Sequence, residues 1–453
     1  MSSPATAPST QIPARESLDP RYTWDLSSIF PSWQAWEAAF ADLDAGIEAY
    51  SKFEGTLAQG AAQLLRALEA RDALDQLNYR VWYYPALQYD EDQRNNAIDA
   101  KRQRVQLLLA KWQQNTSWFQ PELLKLPLDS VRQWMTALPE LATYRFAIEE
   151  VFRLQAHVLN EQGEKLLSLS GRLGGLPKDS YAALSTADAR FPIIALSTGE
   201  SVQVSPEQYR KLLSTCRGQG DRRKAYEALY DTYIGNINTY ASLYNGVMQG
   251  EWFEARARGY QTTLDAALFG NAIPTSVVEN LIREAKKGVA PFRRYHQLRK
   301  RVLGLSDYYV FDASVPLVES NERYRYDEVL DWIIEAVKPL GTDYQARVRK
   351  AFAERWIDVY ENQGKRRGAY AAPVYGANPY MLLNYNDTLD AVFTLAHELG
   401  HSMHTLLSQE TQPFVYSGYT NFIAEVPSTL NEALLLEFML ARAKTREERA
   451  VLL

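Results

Sequence analysis

The sequence predicts a mainly α, multi-helical protein with one small β-sheet placed just ahead of a long helix, and three observations carry that prediction. Residues 33–124 are rich in Ala, Leu, Gln, Glu and Arg and poor in Gly, a composition that favours helix after helix. From residue 389 to 407, Leu389, Val392, Phe393, Ala396, Leu399, Met403 and Leu407 recur at intervals of three and four, the period of a helix face. Residues 356–385 break that period with short β-branched or aromatic runs among Gly, Pro and Asn.

The elements follow in order. Residues 1–16 are polar and rich in Pro, Ser and Thr without the apolar centre of a signal peptide, so residues 1–19 are expected to be a disordered tail. Trp33, Trp36, Phe40, Tyr79, Trp82, Tyr83 and Tyr84 read as core packing within the first helices, and residues 97–118 as a long amphipathic helix. A second helical group covers 144–173. The run Gly171-Arg172-Leu173-Gly174-Gly175-Leu176-Pro177 lacks the Lys-Ser/Thr of a phosphate loop and reads as a turn. Residues 191–205 read as a β-hairpin about Ser197-Thr198-Gly199-Glu200, and a domain boundary is expected near residue 200, giving helical domain 20–200 and second domain 201–453. Helices return over 206–257. His157 and His296 stand without ligand-spaced partners and read as structural, and Arg293, Arg294, Arg299, Lys300 and Arg301 as a solvated basic face.

Composition excludes several classes of function. At 453 residues the chain can bury substantial cores, and its net charge of −6 with no basic block argues against nucleic-acid binding. The one cysteine, Cys216, rules out an intramolecular disulfide and points to a reducing interior. No apolar run approaches a membrane span. The expected location is the cytoplasm, with no membrane partner.

The chemistry gathers in Thr394-Leu395-Ala396-His397-Glu398-Leu399-Gly400-His401-Ser402-Met403-His404. With Asp387 or Thr388 able to cap the helix, His397 and His401 lie one turn apart, roughly 6 Å along the axis, on one face. Glu398 sits about 100° round, where a carboxylate can reach a metal-bound water without being a ligand. With 5 histidines in 453 residues, chance alone gives this pattern with a frequency on the order of 0.3%. Zinc needs a third protein ligand and an open position. His404 lies about 10.5 Å along a straight helix from His397, too far to share one ion. The next helical stretch offers Glu425 and Glu432 among apolar residues, where a carboxylate would be buried and in need of a partner. The preferred order is Glu425 as ligand, with Glu432 as support and Asp390 as a second supporting carboxylate.

Residues 390–401, Ala424-Glu425-Val426, Leu430-Asn431-Glu432, Gly368-Ala369-Tyr370, Pro379-Tyr380-Met381-Leu382-Leu383-Asn384-Tyr385 and Tyr22-Thr23-Trp24-Asp25-Leu26 together make the chain resemble oligoendopeptidase F, in the thimet oligopeptidase superfamily of zinc peptidases, from about residue 20 onward. The resemblance implies a two-lobed helical peptidase whose catalytic domain is 201–453, one zinc ion held by His397, His401 and Glu425, Glu398 as general base, and short unstructured oligopeptides as substrates. The small sheet would let an extended peptide add to its edge or would only buttress the helix. Gly368, Tyr370, Tyr380 and Leu382 are its candidate substrate contacts, with Gly368, Ala369 and Tyr370 as a loop over the cleft.

In the resembled family, a histidine and tyrosines from a later segment stabilise the oxyanion. Here Thr445-Arg446-Glu447-Glu448 reads as a capping box opening a helix that Ala450-Val451-Leu452-Leu453 barely begins. The expectation is a C-terminally incomplete chain that binds zinc and turns over peptides poorly unless the missing C-terminal segment is supplied as a partner. The other class in view is a zinc-binding but inactive peptidase or a helical peptide-binding protein.

Overall fold

Three long helices open the chain in a computed structural model that describes residues 13–182, 184–185, 188–318 and 322–453. Helix α1 (Trp33–Tyr50) starts at Ser32, whose side chain accepts from the Ala35 amide, and buries Trp36, Ala39, Leu43, Ile47 and Tyr50 along one face. That face packs against α2 (Ala61–Glu91) and α3 (Asn96–Thr116), the latter capped by Asn95. Trp36 is fully buried and its indole donates to the Val81 carbonyl at 2.9 Å. Trp33, Phe40, Trp82 and Tyr83 pack around the same core, as their apolar area requires.

Among the described residues the fold is mainly α with two small sheets, and it groups into two compact units: Met1–Gln155 with Asn321–Ala443, and Ala156–Ser320 with Lys444–Leu453. In the second unit, strands β1 (Ile193–Ala195) and β2 (Ser201–Gln203) pair antiparallel with Ile194 opposite Val202, forming the expected hairpin. A boundary at residue 200 would cut between these two strands, so the division expected there does not describe the packing. Val202, Val204, Leu212, Ala225 and Leu229 form this unit's core, beside a buried ion pair between Arg222 and Asp312 at 2.6 Å. The glycine-rich run read as a turn is helical through Gly174, because helix Glu161–Gly174 continues to the break at Gly175. His157 stacks on Tyr260 at 3.7 Å and His296 meets the Tyr308 hydroxyl at 3.1 Å. Arg299 departs from the solvated reading: it is buried and donates to the Tyr295 hydroxyl and the Val315 carbonyl. The final helix, Arg446–Leu452, has the reciprocal capping box of Thr445 and Glu448.

In the first unit, β3 (Ile357–Tyr360), β4 (Tyr370–Ala372) and β5 (Tyr380–Tyr385) form a sheet of order β3-β5-β4, with β3 parallel and β4 antiparallel to β5. The central strand is covered on both faces, which accounts for its unbroken Tyr-Met-Leu-Leu run. Buried Asp358 on β3 is neutralised by Lys365 at 2.7 Å and by Arg15 at 2.7 Å. Burial pushes the Lys365 ammonium down in spite of the opposing pull of Asp358. Residues 1–12 of the expected tail lie outside the described residues. Residues 13–19 are held instead of loose, by Arg15 and by the Gln363 amide donating to the Pro13 carbonyl at 2.9 Å. No described helix is long and apolar enough to cross a membrane.

Candidate metal centre

The motif helix, Leu389–Thr411, runs directly on from the sheet. Of the two candidate caps, Thr388 performs the role, accepting from the Ala391 amide at 3.2 Å. A second helix, Asn421–Arg442, crosses it at Gly400. A Cβ there would stand 2.5 Å from Ser428 Cα and 2.6 Å from the Pro427 carbonyl oxygen. Only a glycine lets the two backbones meet so closely, and that contact brings the start of the second helix over the motif.

The result is a convergence of three donors. His397 Nε2 and His401 Nε2 lie 3.1 Å apart, and Glu425 Oε2 lies 3.3 Å from the first and 3.4 Å from the second. With the His401 proton on Nδ1, both Nε2 lone pairs face one another at that distance, a repulsion that a cation between them would relieve. Tetrahedral ligands at about 2.0–2.1 Å from zinc stand roughly 3.3 Å from each other, so the donor set fits such an ion. Burial pushes the His401 imidazole below its ordinary value, with His397 adding to it, which favours the neutral ligand form.

A further layer orients these groups. His397 Nδ1 donates to Glu432 Oε1 at 2.6 Å, leaving Nε2 free to face the other donors. Ser428 Oγ donates to Glu425 Oε2 at 2.9 Å. Asn431 Nδ2 donates to the Ala396 carbonyl at 3.3 Å and pins the two helices together. Glu398 is 7% exposed, and its Oε2 has no partner among the described residues. Burial pushes its carboxyl up to about 7, against the pull of His397 and with Glu425 adding to it. It borders a cavity of about 480 Å³ that also takes in the three donors, Tyr79, Tyr419 and the β4 strand.

The candidates fall on both sides of that cavity wall. His397, Glu398, His401, Glu425 and Tyr370 line it, although Tyr370 already donates its hydroxyl to Asp90 at 2.8 Å. Of the three residues expected to form a loop, Gly368 and Ala369 lie outside any strand, whereas Tyr370 opens β4 and pairs with Leu382. Tyr380 and Leu382 are fully buried, and the Tyr380 hydroxyl donates to the Asp25 carbonyl, so both are packing residues and not substrate contacts. Gly368 is outside the lining and accepts from Asn384 at 2.8 Å. Asp390 is exposed in the first turn of the motif helix, about 10.5 Å along the axis from His397, and supports nothing at the centre. His404 stacks on Tyr419 at 3.8 Å, away from the donor set. The Glu425 side chain is 65% exposed, which overturns the argument from burial, and its neighbours Phe422 and Val426 are exposed as well.

Sequence reasoning gave no role at the site to Gly400, Ser428 or Thr405, and it read Tyr79 as core packing, whereas Tyr79 is exposed and lines the cavity. Thr405 and Gln409 extend the His397–His401 face at helical spacing and could have been found that way. Tyr79 comes from α2, and no local signal connects it to the motif.

An unengaged glutamate beside two histidines one turn apart and a carboxylate from the next helix is the arrangement that defines the HExxH metallopeptidases. The profile of peptidase family M3 matches residues 212–451, and that of oligopeptidase F matches residues 122–191. The chain belongs to peptidase family M3. It is 34% identical over 444 residues to oligopeptidase PepF of Bacillus subtilis strain 168, covering 98% of this chain and 66% of that protein. Group B oligopeptidase PepB of Streptococcus agalactiae serotype III is 34% identical over 439 residues, with 97% and 73% covered. The crystal structure of oligoendopeptidase-F from Enterococcus faecium aligns with a TM-score of 0.67 at 30% identity, covering 91% of this chain and 68% of that one. The chain thus spans about two thirds to three quarters of its relatives' lengths.

Proposed function

We propose that the chain carries the centre of a zinc-dependent endopeptidase that hydrolyses internal bonds of short oligopeptides in the cytoplasm. The observation that supports it best is the 3.1–3.4 Å convergence of His397, His401 and Glu425 beside the unengaged Glu398. Zinc, when bound, supplies Lewis acidity that polarises a carbonyl and makes water a strong enough acid to ionise near neutral pH.

The protein's own groups do the rest. His397, His401 and Glu425 would hold the ion, with Glu432 fixing the His397 tautomer and Ser428 fixing the carboxylate. Glu398 takes a proton from the attacking water and passes it to the leaving amine, a role suited to a buried carboxylate whose Oε2 has no other partner among the described residues. An extended peptide can add its backbone to the outer edge of β4, whose Tyr370 and Ala371 line the cavity, and so be held without regard to sequence.

The test combines metal analysis with cleavage of a quenched-fluorescent peptide. The unchanged chain should hold one zinc and give cleavage that is measurable even if slow; Glu398→Gln should keep the zinc and lose that cleavage. Zinc held without cleavage by the unchanged chain would support instead a metal-binding, non-hydrolysing protein, and absence of zinc would defeat both readings.

A further inference from the structure

A second cavity, of about 420 Å³, opens beside the metal cavity and shares Tyr79, Ser417 and Gly418 with it. Its walls are apolar, with Leu68, Leu123, Ile148 and Val151 among them. One face of α2 runs the length of it. Tyr79 stands at the shared mouth, with Asp75 about 6 Å and Asp72 about 10.5 Å farther along the helix at 1.5 Å per residue. An extended peptide advances about 3.3 Å per residue. The two carboxylates therefore lie where the second or third residue beyond Tyr79 would arrive, or where one long side chain would end.

The charge at that end is unbalanced. Asp72 accepts from the Tyr144 hydroxyl at 2.8 Å and Asp75 from the Trp112 indole at 2.9 Å, both neutral donors. Arg71, 3.6 Å from Asp75, supplies the one positive charge among the described residues of the lining. Two carboxylates against one guanidinium leave that end of the cavity short of positive charge; burial pushes both carboxyls upward, and a cation placed between them would oppose that shift and hold them ionised. An apolar stem with a positive head matches such walls and such an end.

We propose that this second cavity is a substrate subsite that takes a positively charged group of the peptide at Asp72 and Asp75. The inference rests on the peptidase reading above. Two sources share the chemistry, a lysine or arginine side chain and the peptide's α-ammonium.

Binding of fluorescent peptides to the zinc-loaded Glu398→Gln chain, which leaves them intact, provides the test. Peptides with arginine, with neutral citrulline in its place, and with free or acetylated amino termini are compared. A charge-assisted contact of this kind is expected to give a difference of about tenfold on removing the responsible charge. Which arm shows it identifies the source. Asp72→Asn and Asp75→Asn together keep both acceptors and should abolish the difference. Peptides that bind equally in every arm, or a difference that survives both substitutions, would overturn the subsite while leaving the peptidase reading intact. No binding of any peptide would remove that reading and this inference with it.

Discussion

Gly400 and Ser428 meet so closely that a methyl group on the first would lie 2.5 Å from the Cα of the second. The neighbouring atoms are backbone, which cannot swing away. Gly400→Ala should therefore force the two helices apart in spite of alanine's better helix propensity, at a cost of about 1–3 kcal/mol. Since Glu425 rides on the second helix, zinc affinity should fall at least tenfold along with the melting temperature. Chelator competition and thermal unfolding measure the two effects. An alanine variant that keeps both would remove the crossing from the account.

The outer contacts give a graded prediction. Glu432→Gln weakens the acceptor for His397 Nδ1, and Ser428→Ala removes the donor to Glu425. Each should lower zinc affinity by roughly 10–100-fold without abolishing binding, the usual scale for such supports. Isothermal titration against a competing chelator gives the values. Unchanged affinity in both would mean that these hydrogen bonds hold the fold and not the donors.

Metal should also stabilise the fold by mass action. At zinc concentrations about 100 times the dissociation constant the gain is about 2.7 kcal/mol, seen as a rise in melting temperature that EDTA reverses. His401→Ala should lose that rise. A shift of equal size in the variant would place the stabilising ion elsewhere.

Far from the centre, Glu91 ends α2 with its carboxylate beside the Trp24 indole and 3.3 Å from Arg15. Burial pushes its carboxyl up to about 7 in spite of Arg15. A carboxyl that holds its proton more tightly folded than unfolded contributes stability fully below about pH 4.3, its unfolded value, and that contribution is lost as pH rises through about 7. Denaturant unfolding of Glu91→Gln should accordingly vary less between about pH 5 and about pH 8 than that of the unchanged chain. Parallel profiles would show that Arg15 keeps Glu91 ionised throughout.

What could be read from the sequence was what is local or periodic. Four-residue spacing alone put His397 and His401 on one helix face. The Thr445–Glu448 box and the hairpin about Gly199 needed only neighbouring residues. Most of the aromatic run of the first helices went to the core because so large an apolar area has few other places to go, and Trp36 is buried there, but Tyr79 stands exposed at the cavity. What escaped depended on crossings between distant segments. Whether Tyr380 and Leu382 face a cavity or fill a core depends on β5 being the central strand, which is set by pairing with β3 and β4 and not by the strand itself. The Glu425 side chain is exposed among exposed apolar neighbours, so reasoning from hydrophobicity chose a suitable residue for an unsuitable reason. Tyr79, Asp72 and Asp75 reach their cavity through the placement of α2, which leaves no local trace.

The central claim is that His397, His401 and Glu425 share one divalent ion. Zinc K-edge X-ray absorption on the metal-loaded chain tests it most directly. The account predicts one zinc per chain with nitrogen and oxygen neighbours at about 2.0–2.1 Å and the outer scattering of two imidazoles, one of which disappears in His401→Ala. A spectrum with fewer than two imidazoles, or one that His401→Ala leaves unchanged, would contradict it.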